Sequence, residues 1–446
     1  MSNLTPEQKY LIVSAELKAR GLKPAVRKKE KQKENWRLGE NGFFTRSDGN
    51  LYIPTKTQGE FINSDAQFSA FIGARGSGKS LSITTEIPTI DGWKLMGDIE
   101  VGDILFDEKG QKTTVIGISP IMKDHLCYRI TFSDNSTVIA DAEHLWTVRT
   151  LHSLKKDRSL NKNLDSCITL TTEEIIERKL KVGNNYGYCV DICDAVEYDT
   201  KELLIHPYLL GVWLGDGNSR EAKLTIHTGD EETINKIMGL GYPIHKVSGK
   251  YSWSLGNLEN NKSNVQIKLK SLGVLNNKHI PDDYLHGNKA QRMELLMGLM
   301  DTDGTVSKRG HCSFDSKNLE LAQQVHQLVS SLGIKATINE FYSRYNGEKY
   351  KYFKVAFTPQ YVVFSLQRKI IRQHLEKVRS DVLRRSIINI EEVESVLVKC
   401  IRVDSPNNLF LVTRSFIPTH NTAAGAQKAL KKVKEGLSGS VLNPDF

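Results

Sequence analysis

Several residues in this chain have types and spacings that could do chemistry. Gly73, Gly76, Gly78 and Lys79, followed by Ser80, fit G-x-x-x-x-G-K-[ST], in which backbone N–H groups and a lysine cradle phosphates and a hydroxyl reaches Mg²⁺. His420-Asn421-Thr422 sets an imidazole, a carboxamide and a hydroxyl in succession, a general acid or base beside a nucleophile. Cys400 offers a thiol, whose ordinary pKa of about 8.5 leaves a few per cent as thiolate at neutral pH, whereas a serine hydroxyl needs a base. Two acids, Asp216 and Asp303, each precede a glycine and close apolar stretches 87 residues apart, Leu209-Leu-Gly-Val-Trp-Leu-Gly-Asp216 and Leu296-Met-Gly-Leu-Met-Asp-Thr-Asp303.

These groups need particular elements beneath them. A phosphate loop must open a helix, because the helix N-terminus supplies N–H groups and positive dipole. Ser80 is followed instead by Leu-Ser-Ile-Thr-Thr-Glu-Ile, Pro88 and Gly92, which is strand and turn chemistry. The missing helix lies at the far end, where Thr422-Ala-Ala-Gly-Ala-Gln-Lys-Ala-Leu-Lys-Lys-Val-Lys-Glu-Gly436 is a strong helix former. Joining Lys79 to Thr422 restores a phosphate loop that opens a helix, with Thr422 supplying the hydroxyl. Residues 80–421 therefore read as a 342-residue insertion, and nucleotide binding requires that it leave.

Composition limits the classes. A length of 446 residues suggests roughly two to four domains, and 39% hydrophobic with 25% charged residues is ordinary for soluble globular protein. No apolar run approaches the ~18 residues that span a bilayer, and the start, MSNLTPEQKYLIVSAELKARG, has no signal-peptide core. The expectation is a cytoplasmic protein, in a bacterial or phage-infected cell, with no membrane partner. Six cysteines, at 127, 167, 189, 193, 312 and 400, form no C-x-x-C pair and are expected as free thiols. Of the net +9, residues 1–79 carry +6 and 422–446 carry +2, so the insertion is almost neutral. The basic run AVRKKEKQKEN at 25–35 reads as a nucleic-acid contact or a solvated helix.

The insertion resembles an intein, a self-splicing protein element. The resemblance is carried by His420-Asn421 before Thr422, and by Thr89-Ile-Asp-Gly-Trp-Lys-Leu-Met-Gly-Asp-Ile-Glu-Val-Gly-Asp103, which looks like the N-terminal splicing block. Asp141-Ala-Glu-His144-Leu-Trp146 resembles the second block, with Asp141 where threonine is usual. Cys400-Ile-Arg-Val-Asp404 resembles the next-to-last. The family resemblance implies an all-β, horseshoe-like fold of the hedgehog/intein (Hint) type over 80–200 and 385–421. It implies that His144 bonds, twists and protonates the amide between residues 79 and 80, and that Asn421 cyclises with help from His420. Trp146, Cys400 and Thr422 together resemble class 3 inteins, in which the internal cysteine attacks the N-terminal junction directly. A start from Ser80, the insertion's own first residue, is the other route.

Residues 201–384 lie inside the splicing segments. The repeated stretches ending at Asp216 and Asp303 resemble the LAGLIDADG motif of homing endonucleases of the DOD type, an α+β fold. Gly211 and Gly298 would let two helices pack closely at a pseudo-two-fold and bring both acids together. Two carboxylates with phosphate oxygens suit Mg²⁺, a hard cation. Asn277-Lys278-His-Ile-Pro281 resembles the K-x-I-P block of the same family, which implies that Lys278 sits by the scissile phosphate. A surface lysine is the alternative. The implied partner is double-stranded DNA, bound by one chain with two pseudo-symmetric halves. The strand Lys349-Tyr-Lys-Tyr-Phe-Lys354 alternates charge and aromatic residue, as a groove-facing sheet would.

The flanks, 1–79 and 422–446, read as two parts of an α/β P-loop NTPase that would take ATP and Mg²⁺ after splicing. The rejoined FIGARGSGKTAAGAQKAL resembles the start of a phage terminase large subunit, the ATPase of a packaging motor, truncated at Phe446. Two other readings stand beside splicing: a splicing-inactive insertion that only cleaves DNA, and a P-loop ATPase that tolerates an inserted domain.

Overall fold

The computed structural model describes residues 80–420 apart from 152, 155–166, 257–263, 346–347 and 378–379, together with strands Trp36–Leu38 and Phe44–Arg46. Contacts divide the chain into one unit, Gly78–Thr422, and another made of Met1–Ser77 with Ala423–Phe446. In the second unit the two short strands pair antiparallel, Trp36 opposite Arg46.

In the larger unit, residues 80–198 follow the period-two patterning of their sequence. In Lys112–Ile118, for example, Thr113 and Val115 face the core while Lys112 and Ile116 face solvent. The strands form an eight-stranded antiparallel sheet in the order 168–171, 145–150, 188–191, 384–393, 127–132, 137–141, 81–82, 398–399. A five-stranded sheet runs 401–403, 112–118, 104–106, 86–89, 92–95, and a hairpin pairs 409–412 with 417–420. Their shared core includes Leu81, Ile130, Phe132, Trp146, Ile387, Val403 and Phe410.

Two segments far apart in sequence thus share one sheet. Arg384–Val393 enters between Tyr188–Asp191 and Cys127–Phe132, and Val398–Lys399 pairs with Leu81–Ser82. Arg385 fixes the re-entry point: it is fully buried, ion-paired with buried Asp134, and donates to Ser415 O at 2.6 Å. A buried charge is tolerated only when paired and hydrogen-bonded in this way.

Between these segments the chain builds two similar α+β halves. Each starts with an apolar helix, Pro207–Asp216 or Lys289–Thr302. The first half continues through strand 223–225, helix Glu231–Gly239, strands 244–246 and 252–255, and helix Asn264–Ser271. The second continues through strands 304–306 and 312–316, helix Leu319–Ser331, strands 336–345 and 348–357, and helix Gln367–Ile370. The sheets have the same strand order, 223–225/252–255/244–246 against 304–306/312–316/348–357/336–345, and the Gly217–Leu224 bridge stands in for the first strand of the shorter one. A pseudo-two-fold is therefore present in the connectivity as well as in the motif.

The paired helices touch through their glycines. A methyl on Gly211 would crowd Leu299 N at 2.9 Å and Gly298 Cα at 3.0 Å, and one on Gly298 would crowd Val212 N at 2.8 Å. Such contacts admit only glycine. The glycines after the acids are kept for close approach. Gly217 takes φ −77°, ordinary extended backbone, and is excluded from carrying a side chain because a Cβ would meet the Trp213 indole within 3 Å. Gly304 is crowded in the same way by Met300.

Candidate active sites

The first site forms where Leu81–Ser82 lies between Val398–Lys399 and Thr137–Asp141. The ladders pair Lys399 with Leu81 and Leu81 with Ala140. On the Asp141 side the pairing continues to Ser80 through hydrogen bonds, and on the other side Cys400 follows Lys399, where the chain passes into strand 401–403 of the five-stranded sheet. Ser80 is fully buried. Its N–H, the nitrogen of the peptide bond to residue 79, donates to Asp141 Oδ2 at 3.0 Å, and Asp141 N–H returns a bond to Ser80 O at 3.0 Å. Burial pushes the Asp141 carboxyl up to about 6, against the Ser80 N–H and His125, whose Nδ1 lies 3.4 Å from Oδ2. At the Ser80 nitrogen the junction amide is thus hydrogen-bonded to Asp141, and Lys79, on its other side, lies outside the described residues.

Cys400 is buried and held from both backbone directions. Its N–H donates to Ser119 Oγ at 2.9 Å, and its carbonyl accepts from Ser119 N–H at 2.8 Å. Next to it, buried Lys399 donates to Gly97 O at 2.8 Å and Ile99 O at 2.6 Å, tying this strand to the Met96-Gly-Asp98 turn of the first block.

His144 and Trp146 turn toward the other end of the insertion. His144 Nε2 shares a hydrogen bond of 2.5 Å with Thr419 Oγ1, next to His420 at the end of strand Ile417–His420. The rings of His144 and Trp146 meet edge to face with centroids 4.9 Å apart. Trp146 Nε1 donates to Thr172 Oγ1 at 3.1 Å, and Thr172 N–H donates to His144 O at 3.0 Å, so the indole is a buried anchor that fixes the histidine. Asn421, Thr422, Lys79, Gly73, Gly76 and Gly78 lie outside the described residues.

The second site lies at the ends of the paired motif helices. Asp216 closes the first helix and Asp303 caps the second. Burial pushes the Asp216 carboxyl up to about 6, and the Asp303 charge adds to the rise. Asp303 is also raised by burial, with Lys278 pulling against it. Lys278 donates to Gly215 O at 2.9 Å, on the last turn of the first helix, and its ammonium is pulled down by burial while both acids hold it up. Among the described residues no group of three or more His, Cys, Asp or Glu side chains forms a metal cluster. Two carboxylates with open positions fit Mg²⁺, which keeps several waters and takes substrate phosphate oxygens alongside one or two carboxylates.

One residue of this site carries no motif signal. Lys369, buried, donates to Met300 O at 2.8 Å, Asp301 O at 2.8 Å and Gly304 O at 2.7 Å, closing the second helix as Lys278 closes the first. Burial, then neighbouring Arg368, pulls its pKa down to about 8. The 87-residue offset from Lys278 falls on Ser365, four positions short, so the repeat could not have found it. Asp301, inside the second motif, is structural: it is buried and accepts from Tyr208 Oη at 2.8 Å and Ser365 N at 2.9 Å.

The strand that alternates charge and aromatic residue divides its lysines between two faces. In Glu348–Phe357 the side chains of Lys349 and Lys351 share a face with buried Phe353 and Val355, and Lys354 points the opposite way. Lys351 pairs with Glu340 at 2.6 Å, Lys354 lies 3.5 Å from Asp315, and Lys349 sits 3.7 Å over the Tyr342 ring. No disulfide joins any of the six cysteines, and no described helix is long and apolar enough to cross a membrane.

Known proteins share parts of this arrangement. Residues 290–394 match the family model of a LAGLIDADG-like domain. The chain is 33% identical over 364 residues to a replicative DNA helicase DnaB of Mycobacterium intracellulare, a match covering 78% of this chain and 60% of the helicase. It is 38% identical over 90 residues to a replicative DNA helicase DnaB of Mycobacterium leprae, covering 20% of this chain and 15% of that protein. The chain thus spans about 60% of the first relative's length. Because residues 1–79 and 422–446 total 104, a match over 78% of the chain must draw mostly on residues 80–421. The relatives are named as helicases, so a terminase host finds no support among them. Among solved structures, the Msm DnaB1 intein splicing domain bound with zinc aligns over 76% of this chain and 99% of its own, at 14% identity and a TM-score of 0.25. I-DmoI in complex with DNA and Ca aligns over 38% and 95%, at 13% identity and a TM-score of 0.26. Scores of that size carry no argument. The family match does: this chain carries a LAGLIDADG-like domain over residues 290–394, which hold the second motif helix and the second α+β sheet.

Proposed function

We propose that the chain is an enzyme with two activities: it excises residues 80–421 and joins Lys79 to Thr422, and its inner domain cleaves double-stranded DNA at a specific site. The observation that supports the first activity is the hydrogen bond from Ser80 N–H to Asp141, at the start of a strand whose other neighbour, Val398–Lys399, runs into Cys400. In the class 3 route the Cys400 sulfur attacks the Lys79 carbonyl and forms a branched thioester. The Thr422 hydroxyl takes the acyl group. Asn421 cyclises through its own carboxamide with His420 at hand, and the chain is cut after it. The ester at Thr422 then rearranges to a peptide. Placement within one chain supplies an effective molarity that can reach about 10⁵ M or more. His144, fixed by Trp146 and bonded to Thr419, serves the C-terminal junction in this reading.

The second activity rests on the repeat and on the paired acids. Asp216 and Asp303 would hold Mg²⁺, which when bound supplies water activation and charge stabilisation on the phosphodiester oxygens. Lys278 and Lys369 keep positive charge at the two helix ends, toward a phosphate. Both halves of the cleft lie in one chain, so a monomer suffices to span the target. We carry the host no further than a P-loop ATPase that would bind ATP and Mg²⁺ at the rejoined loop. The support for it is the restored G-x-x-x-x-G-K-T pattern.

An intact-mass and gel time course of the expressed chain tests the splicing reading. The expected products are a 342-residue insert and a joined 104-residue flank. Cys400→Ala should abolish N-terminal cleavage and Ser80→Ala should preserve it. The reverse pattern would put Ser80 first. A precursor that persists unchanged leaves DNA cleavage as the chain's activity.

A further inference from the structure

In the splicing reading, Ser80 N is the leaving atom of the first cleavage. An amide nitrogen leaves as an anion unless it is given a proton, so the group bonded to it governs the step. The geometry points to Asp141 as the catalytic acid that protonates the Ser80 nitrogen as the Lys79–Ser80 bond breaks. This rests on the splicing reading above.

The carboxyl is already in place. Asp141 Oδ2 lies 3.0 Å from Ser80 N, and the return bond from Asp141 N–H to Ser80 O fixes the two residues in register. In the planar amide the N–H donates to the carboxylate; once the sulfur adds and the nitrogen turns pyramidal and basic, the same carboxyl, when protonated, is within proton-transfer reach of its lone pair. The groups facing Asp141 are His125 Nδ1 at 3.4 Å from Oδ2, Cys127 opposite it on strand Cys127–Phe132, and His144 three residues on. Asp141 is 2% exposed, and His125, more open, links it to solvent. An ordinary aspartate, pKa near 4, is about 0.1% protonated at pH 7, while a carboxyl near 6 is about 10% protonated. Burial raises Asp141 to that range. A threonine here could hydrogen-bond the amide but could not acidify it.

The step balances. The Cys400 thiol gives its proton to water and its sulfur bonds the Lys79 carbonyl carbon. The C–N bond breaks, and the nitrogen lone pair takes the Asp141 carboxyl proton. A thioester, a Ser80 amine and an Asp141 carboxylate result, and Asp141 recovers a proton from solvent past His125.

The test uses the full chain carrying Asn421→Ala, which isolates the N-terminal step, with hydroxylamine as thioester trap and intact mass as readout from pH 5 to 8.5. Added Asp141→Asn should slow N-terminal cleavage about 100-fold, as loss of a general acid does, and Asp141→Glu should restore part of it. In the Asn421-intact chain, Asp141→Asn should leave C-terminal cleavage running. His125→Gln removes a partner that favours the carboxylate, so the high-pH fall in rate should move to higher pH. N-terminal cleavage by Asp141→Asn at the parent rate would overturn the assignment. So would equal loss at both junctions. If Asp141→Asn does not fold, an unmoved profile in His125→Gln overturns it. A parent chain that never cleaves sinks the splicing reading itself. A parent that cleaves while Asp141→Asn cleaves equally sinks only the role of Asp141.

Discussion

Asp141 and Asp216 are both carboxyls that burial pushes up to about 6, yet their surroundings differ in kind. Asp141 is opposed by an N–H donor and a histidine, both of which favour its charged form. Asp216 is reinforced by a second acid, Asp303, which disfavours it. A lone buried acid facing an amide N–H is suited to carry a proton to it. A pair of mutually repelling acids is suited to lose protons to a cation. The supporting architecture differs as well. The groups around Ser80 and Asp141 come from strands 81–82, 127–132 and 137–141 and from His125, brought together by sheet register. The groups around Asp216 come from two copies of one helix, closed by two lysines.

The largest expected effect tests whether the two sites are separate. Asp303→Asn removes a charge from the acid pair and keeps the shape. DNA cleavage should fall at least about 100-fold, as it does when a preorganised charge is lost from an active site. The splicing time course should match the parent. A plasmid-nicking assay beside the mass time course reads both. Splicing lost together with cleavage would show that the sites are coupled and break the comparison.

Gly298→Val asks how far the helix pair alone holds the acids together. The new side chain would press on Val212 N and Gly211 Cα, both backbone, which cannot give way as a flexible side chain can. Overpacking of this kind costs typically 1–3 kcal/mol, and backbone-on-backbone contact puts this case at about 3 kcal/mol. Urea unfolding should show the loss in the inner domain, with DNA cleavage abolished. Retention of cleavage would mean that the acids are held by the lysine caps rather than by the glycine contact.

The sequence made the two sites legible to different degrees. The acid pair could be read because a repeat announces itself twice, and the same 87-residue offset aligns Gly211 with Gly298 and Asp216 with Asp303. Lys369 was hidden because it arrives from a segment off that offset and acts on backbone carbonyls, which have no sequence. At the splicing site, Cys400, His144 and Trp146 stood out by type and local spacing, and Asp141 stood out only as an odd residue in its block. Its contact with Ser80 follows from the pairing of Leu81 with Ala140, and strand register across 59 residues is a tertiary fact. The role of Gly217 was not legible for a related reason, since a glycine kept for close approach looks the same in sequence as one kept for positive φ.

The smallest effect separates the two raised carboxyls by pH and cation. Asp216 is raised in the folded state above its ordinary 3.8, so the unfolded chain binds fewer protons between about pH 4 and 6. Metal-free stability should therefore fall as pH rises through that window and level off above it. Asp216→Asn cannot ionise, so it should be more stable than the parent above pH 6 and equal to it below pH 4. Allowing for the partial exposure of the carboxyl, the difference is about 1–2 kcal/mol, a few degrees in Tm. Added Mg²⁺ should recover the parent and leave Asp216→Asn unmoved, because binding to the folded state alone stabilises it. Asp141→Asn in the same melts should show no Mg²⁺ dependence of its difference from the parent. If Mg²⁺ erased the Asp141 difference as well, the contrast between a proton-holding acid and a cation-holding pair would be lost.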